Sequence, residues 1–362
     1  MQTTELRVYA LSGWLAAALT VGCSGSQPGS ALPSGLTTPT DRGRWAPLAE
    51  ASPPNLYVAN YGGNTVTVYA PGTSTPELTI SAGLNEPDSL AFDLDKNLFV
   101  ANNQNNTIRE YKYGETKIRR TIRTNLSYPH WVTFNSMDDQ LYASNGTYSD
   151  PAGWVSVYSD KGAFIREITA GVNNVSAIAL DSAGNVYLAN ESGNSVTVYS
   201  PGANTLLHTI TDGVFDPAAL AFDSSGNLYV ANFGAYAGTV TVYAPGSTAL
   251  SRTISSGISG PYALAVGPSG YLNVANEQGG PSYYGSVTQY APGSGSVART
   301  ITNGIDAPQY LAFGSYGYLN VANGLTSGIN GAVTEYAPGS GNVARTITDG
   351  INDPFYITFG PP

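Results

Sequence analysis

Few side chains in this sequence could do chemistry. Of 362 residues only two are histidine and one is cysteine, which excludes a cluster of three histidines, a Cys-rich metal site and a disulfide framework. No Gly-x-Ser-x-Gly elbow and no phosphate loop occurs. What remains is one proton-transfer candidate, His130, and a set of carboxylates: Asp88, Glu191, Glu277, Asp216 and Asp353. Oxygen donors of this kind suit Ca²⁺ or Mg²⁺. Around them stand aromatic residues: Trp131, Tyr148, Tyr236, Tyr262, Tyr283, Tyr284, Tyr310, Phe355 and Tyr356. An aromatic surface with few charges suits sugars or peptides, through stacking and apolar contact. Each feature also has a structural reading: a lone histidine held by hydrogen bonds, and rings that plug a channel or fill gaps between elements.

The positions of these residues follow from one repeated unit. The signature Asn-Leu-Tyr-Val-Ala-Asn ends at Asn60, and related versions end at Asn102, Asn145, Asn190, Asn232, Asn276 and Asn323. The intervals are 42, 43, 45, 42, 44 and 47 residues. A Thr-Val-Thr-Val-Tyr element follows, its tyrosine at Tyr69, Tyr111, Tyr158, Tyr199, Tyr243, Tyr290 and Tyr336. Then come a short Thr-Ile element and a segment like Pro-x-x-Leu-Ala-Phe, which begins at Pro87, Pro129, Val175, Pro217, Pro261, Pro308 and Pro354. Four β-type segments per unit of this length predict an all-β fold, a seven-bladed β-propeller of four-stranded blades.

Local chemistry agrees. Leu56 to Ala59 is apolar on both faces, as a strand clamped between blades must be. Thr65 to Tyr69 alternates valine with threonine, which predicts a half-exposed strand. A short residue recurs in the proline-led segment (Ala91, Thr133, Ala179, Ala221, Ala265, Ala312, Thr358), as crowding at a central channel would favour. Pro71-Gly72 and its four counterparts fit the centre of a type II turn. The first ordered strand is a second strand and the last, Phe355 to Phe359, is a lone inner one. Pairing the two closes the ring. The asparagines, the loops after them and the proline-led segments then share one face around the channel mouth. The asparagine ring reads either as a polar collar or as seven copies of a backbone-bonding device, and its regularity favours the device.

The Tyr-Val-Ala-Asn strand ends and Pro-x-x-Leu-Ala-Phe segments resemble the NHL and YVTN β-propeller repeats over residues 55–362. NHL repeats usually carry aspartate where this chain has the strand-end asparagine. Recurrent Gly-His and Trp-Asp pairs are missing, which disfavours a WD-type propeller. Such families include scaffolds, binding modules, lactonases and lyases, so the resemblance implies a fold and leaves activity open. A gluconolactonase-like or streptogramin-lyase-like reading would place Ca²⁺ or Mg²⁺ on Asp88, Glu191 and Glu277. Neither family's motif is matched residue by residue.

Ahead of the repeats, residues 1–23 read as a signal peptide: an apolar run from Val8 to Gly22 that is short for a membrane span. Leu19-Thr20-Val21-Gly22-Cys23 resembles a bacterial lipoprotein box, which implies acylation of Cys23. Residues 24–54, rich in Ser, Gly, Thr and Pro, read as a disordered tether. Only 11% of residues are charged and the net charge is −10, so a nucleic-acid partner is disfavoured. Six of the 15 basic residues (Arg109, Lys112, Lys117, Arg119, Arg120, Arg123) gather in the second unit, as edge protection or as a dock for an anionic partner.

The expectation is therefore an exported monomer, lipid-anchored in the bacterial cell envelope or else secreted, that acts as a non-catalytic binding module. It would take a protein, peptide or glycan at the channel mouth through His130, Trp131, Tyr148, Tyr236, Tyr262, Tyr283, Tyr284, Tyr310 and Tyr356, without a cofactor. The alternative is the metal-dependent lactonase or lyase.

Overall fold

Among the described residues seven four-stranded antiparallel sheets form the fold. The computed structural model describes residues 53–147, 150–234, 238–278, 285–324 and 331–361. Cys23, Tyr148, Tyr236, Tyr283 and Tyr284 lie outside the described residues, as do the signal segment and most of the tether.

Blade 1 is the composite one. Its inner strand is Pro354–Phe359, followed outward by Leu56–Asn60, Thr65–Tyr69 and Leu78–Ile80. The pairing Leu56↔Phe359 through Asn60↔Pro354 joins the two ends of the chain and closes the ring, as expected. Blades 2 to 7 follow in chain order at 87–122, 132–168, 175–210, 217–254, 261–301 and 308–347.

In six blades the second strand is buried on both faces. The third strand is buried too, which corrects the half-exposed expectation for Thr65–Tyr69. The reason is specific. Thr67 accepts a hydrogen bond from the Asn60 side chain at 3.0 Å, so its hydroxyl is satisfied inside the blade. The outer strands carry the solvent-facing alternation instead. The recurrent short residue of the inner strand faces an aromatic ring across the ladder in five blades: Ala91↔Phe99, Thr133↔Tyr142, Ala179↔Tyr187, Ala221↔Tyr229 and Thr358↔Tyr57. Its size thus answers a cross-strand neighbour as well as the channel. The Pro-Gly turns form as predicted; Gly72, with φ of 79° and open space where a Cβ would stand, is glycine for its dihedral alone.

Blade 3 departs from the pattern. Its regular inner strand begins at Val132 rather than Pro129, and its middle hairpin is longer, Gln140–Thr147 and Asp150–Ser159. The segment after Asn145 extends that hairpin, with Asp150 opposite Thr147.

One device repeats in all seven blades. The tyrosine that ends each third strand donates its hydroxyl to a carbonyl in the connector entering its own blade: Asp349, Ala82, Thr124, Ala170, Asp212, Ser256 and Asn303 in turn. Burial pushes these phenols above their ordinary range, Tyr158 and Tyr290 to about 12. At the opposite face from the mouth, outer-strand arginines reach the next blade: Arg120 to the Asp160 carbonyl, Arg252 to Gly293 and Arg345 to Thr73.

Candidate functional site

The mouth face is framed by the strand-end asparagines. Each Oδ1 accepts a backbone N–H from the connector before its own inner strand, from Asn352, Asn85, Ser127, Asn173, Phe215, Ser259 and Asp306, at 2.9 to 3.1 Å. Six of the seven also donate Nδ2 to a third-strand Thr or Ser hydroxyl at 3.0 or 3.1 Å. All seven are buried. The ring is a latch between loop and blade, which leaves its amides committed to the fold.

A second ring lies just before the inner strands. Glu86, Tyr128, Asn174, Asp216, Gly260, Ala307 and Asp353 all adopt left-handed backbone, with φ between 45° and 59°. In the three blades followed by short loops, a loop asparagine bonds this residue's N–H in the next blade: Asn64 to Glu86, Asn106 to Tyr128 and Asn194 to Asp216, at 2.6 to 2.7 Å. These locks were not foreseen in the sequence, although Asn64, Asn106 and Asn194 stand at matching places in it.

Within this frame the predicted residues separate into groups. Trp131, Tyr310 and Tyr356 meet in the channel, with Trp131 edge-on to Tyr356 (centroids 5.4 Å, 70°) and Tyr310 4.3 Å from Tyr356. Blade 2, between them, carries the small Ser89 at the corresponding position. The three rings are at most 3% exposed, and burial beside Tyr356 raises the Tyr310 phenol well above its ordinary value. Tyr262 is 2% exposed and packs against Phe233, while Phe355 packs against Tyr61. These side chains floor the mouth.

His130 forms the second group. Its Nδ1 lies 2.8 Å from Asp88 Oδ2, and the Asn103 amide lies 3.1 Å from the same carboxylate oxygen and 3.1 Å from Nδ1. Asp88 is buried, and burial raises its pKa against the lowering pull of His130. Asp88 Oδ1 is buried with no hydrogen-bond partner. His130 remains partly exposed, its side chain at 27%. A histidine oriented by a buried carboxylate is equipped to move a proton or to grip a polar ligand.

The remaining carboxylates are spread around the ring. Asp353 sits in blade 1, Glu191 in blade 4 and Glu277 in blade 6, where burial raises the Glu277 carboxyl above its ordinary value. Among the described residues no three His, Cys, Asp or Glu side chains come together as a metal-holding group. Asp88, Glu191 and Glu277 are thus not gathered into one ligand set.

Glu191 instead borders a cleft between blades 4 and 5, of about 370 Å³, lined also by Ser192, Asn194, Phe215, Asp216, Phe233 and Gly234. Phe215 was missed at the level of sequence. A signal was present: the other six copies carry Asn85, Ser127, Asn173, Ser259, Asp306 and Asn352 at its place.

The basic cluster of blade 2 is largely spent within the blade. Arg119 and Arg120 flank the buried Glu110 at 2.5 and 3.1 Å, and Arg109 bonds Thr121 and the Gly83 carbonyl.

No protein-family model matches this sequence, and no curated protein matches it. Solved structures do match the ring. One, described as a functionally unknown protein from Desulfotomaculum acetoxidans DSM 771, superimposes with a TM-score of 0.69 at 16% identity, covering 85% of this chain and 99% of that one. The likeness is one of fold.

Proposed function

We propose that this protein is an exported, lipid-anchored binding module, related to the NHL and YVTN propellers, that captures a protein, peptide or glycan at its channel mouth. One observation carries the reading: departures from sevenfold repetition collect on the mouth face. The Asp88–His130 pair, the aromatic floor and the Phe215 cleft all lie there. A rigid ring with latched loops holds such groups in place before a partner arrives, which lowers the ordering cost of binding. The lipoprotein-like box and the Ser/Gly/Pro-rich tether would hold the ring clear of a membrane.

The test is capture from bacterial envelope extract by the tagged full-length chain, with His130→Ala and Tyr283→Ala as mouth variants. Specific partners lost in the variants support the module; identical capture by all three removes it. Labelling with a radioactive fatty acid, abolished by Cys23→Ala, tests the anchor.

A second reading, a metal-dependent lactonase or lyase, draws on the Asp88–His130 pair alone. It requires one tight Ca²⁺ or Mg²⁺ site by calorimetry, lost in Asp88→Asn.

A further inference from the structure

We propose that the face opposite the mouth, at blades 6, 7 and 1, rests on the surface of the lipid bilayer, with the mouth turned away from it. The inference deepens the binding-module reading and rests on the anchor at Cys23.

Each inner strand starts at the mouth, so the turns from first to second strand and from third to fourth lie at the far end. In blades 6, 7 and 1 those turns span residues 267–271, 291–296, 314–318, 337–342 and 70–76, and none contains a charged residue. Nor do the chain ends that complete blade 1, 53–55 and 360–361, joined by the Gly360 N–H to the Asn55 carbonyl at 2.9 Å. Glu77, at the border, is held by the Asn55 amide. Arg252 and Arg345 reach this end, and each donates to a turn carbonyl, Gly293 and Thr73. The same end of blades 2 and 3 instead carries Asp95, Lys96, Lys112, Glu115, Asp139 and Lys161.

The uncharged turns form one surface. A Cβ on Gly317 would lie 3.5 Å from Pro338 and 3.9 Å from Pro268, and one on Gly270 3.0 Å from Pro292, so blades 6 and 7 meet through prolines. The Arg345 bond to Thr73 carries the surface on to blade 1. Two rings project from it, Tyr316 at 80% exposure and Tyr271 at 38%. Tyr316 holds left-handed backbone (φ 61°, ψ 16°), where the matching turns carry Ala183, Ser225 and Ser269. The turn therefore needs no ring there, and a bulky one is kept at a disfavoured dihedral.

Chemistry and connection choose the occupant. Tyrosine suits the bilayer interface, where its ring meets apolar chains and its hydroxyl meets head groups. An anionic lipid surface repels a protein of net charge −10 least where that protein bears no charge. The chain departs towards Cys23 from this face, and Cys23 is 30 residues before Pro53. A Ser/Gly-rich tether of that length would span roughly 30 Å. Anchoring thus presents lipid at high effective concentration, so a few interfacial side chains suffice to hold the ring. The tether lets the ring stand clear of the bilayer; this surface lets it settle back with the mouth outward.

The experiment puts an environment-sensitive fluorophore on the anchored full chain in phosphatidylcholine vesicles, with and without phosphatidylglycerol. The label goes on Ser269→Cys at this face or on Ser192→Cys at the mouth; acylation of Cys23 leaves each new cysteine as the sole thiol. Blue-shifted emission, quenched by spin-labelled lipid, is expected from the first site and absent from the second. Tyr316→Ser combined with Tyr271→Ser should lose most of that shift yet melt with the parent, both rings being exposed. Equal emission from the two sites, shielding at the mouth instead, or a shift that survives loss of both tyrosines overturns the proposal. So does a shift confined to phosphatidylglycerol vesicles, which would assign the contact to the lysines of blade 2. Fatty-acid labelling of the same preparation separates the two readings: with Cys23 acylated and no shift, this inference alone falls; with Cys23 unacylated, the anchor reading falls and this inference with it.

Discussion

The Tyr69 hydroxyl donates to the Asp349 carbonyl at 2.6 Å, across 280 positions of sequence. The same bond is made locally in the other six blades, but here it ties the chain's two ends together. Asn60 accepting from the Asn352 N–H at 3.1 Å doubles the tie. Ring closure thus reuses the devices that hold every blade. Tyr69→Phe should cost about 1 kcal/mol, the usual net worth of a hydrogen bond. Deleting residues from Pro354 onward should abolish the cooperative thermal transition, because it strips the Leu56–Asn60 strand of its inner partner. Differential scanning calorimetry measures both; a truncated chain melting like the parent would sink the closure argument.

The latch predicts a larger effect. Asn190→Ala leaves the Asn173 N–H without its acceptor and the Thr197 hydroxyl without its donor. A loss of about 2–3 kcal/mol in urea unfolding is expected, two buried polar groups being orphaned at once. Asn190→Asp should also destabilise, because a carboxylate would face the Leu188 carbonyl in place of the donating amide.

Ala307 holds left-handed backbone at φ 45° without glycine's freedom. Ala307→Gly should stabilise by about 0.5–1 kcal/mol, relief of strain outweighing the added chain entropy. Gly260→Ala, at the equivalent place with φ 59°, should do the reverse. The paired melting temperatures decide it.

Trp131 is 1% exposed in the channel. Trp131→Ala should cost about 3–5 kcal/mol through lost transfer energy and the cavity left behind. Capture lost in that variant reports unfolding as much as recognition; the partly exposed His130 is the cleaner probe.

Glu277 is raised above its ordinary 4.5 by burial alone. Because the folded state holds this proton more tightly than the unfolded chain, its contribution to stability is full below the ordinary value and is lost as pH rises through the raised one. Stability should therefore increase as pH falls from neutral towards 4.5, and Glu277→Gln should flatten that part of the profile. Urea midpoints across the range measure this; a Gln variant with the parent's slope would refute the assignment.

The fold was legible because its determinants are local and repeated. Seven spaced signatures, the Pro-Gly turns and the unpaired last strand fix strand order and closure without coordinates. Third-strand burial was misjudged because it depends on a partner outside the strand: Thr67 is polar by type, yet satisfied by Asn60. The site was legible only as a face. Sequence placed His130 and Asp88 near the mouth, but their 2.8 Å contact depends on two inner strands converging. It likewise singled out Trp131, Tyr310 and Tyr356, whereas their mutual contact depends on three inner strands of different blades converging. Phe215 and Glu191, 24 residues apart, share a cleft only because neighbouring blades abut. Periodicity specifies what each blade does alike; how unlike residues on different blades meet is decided by the geometry of the closed ring.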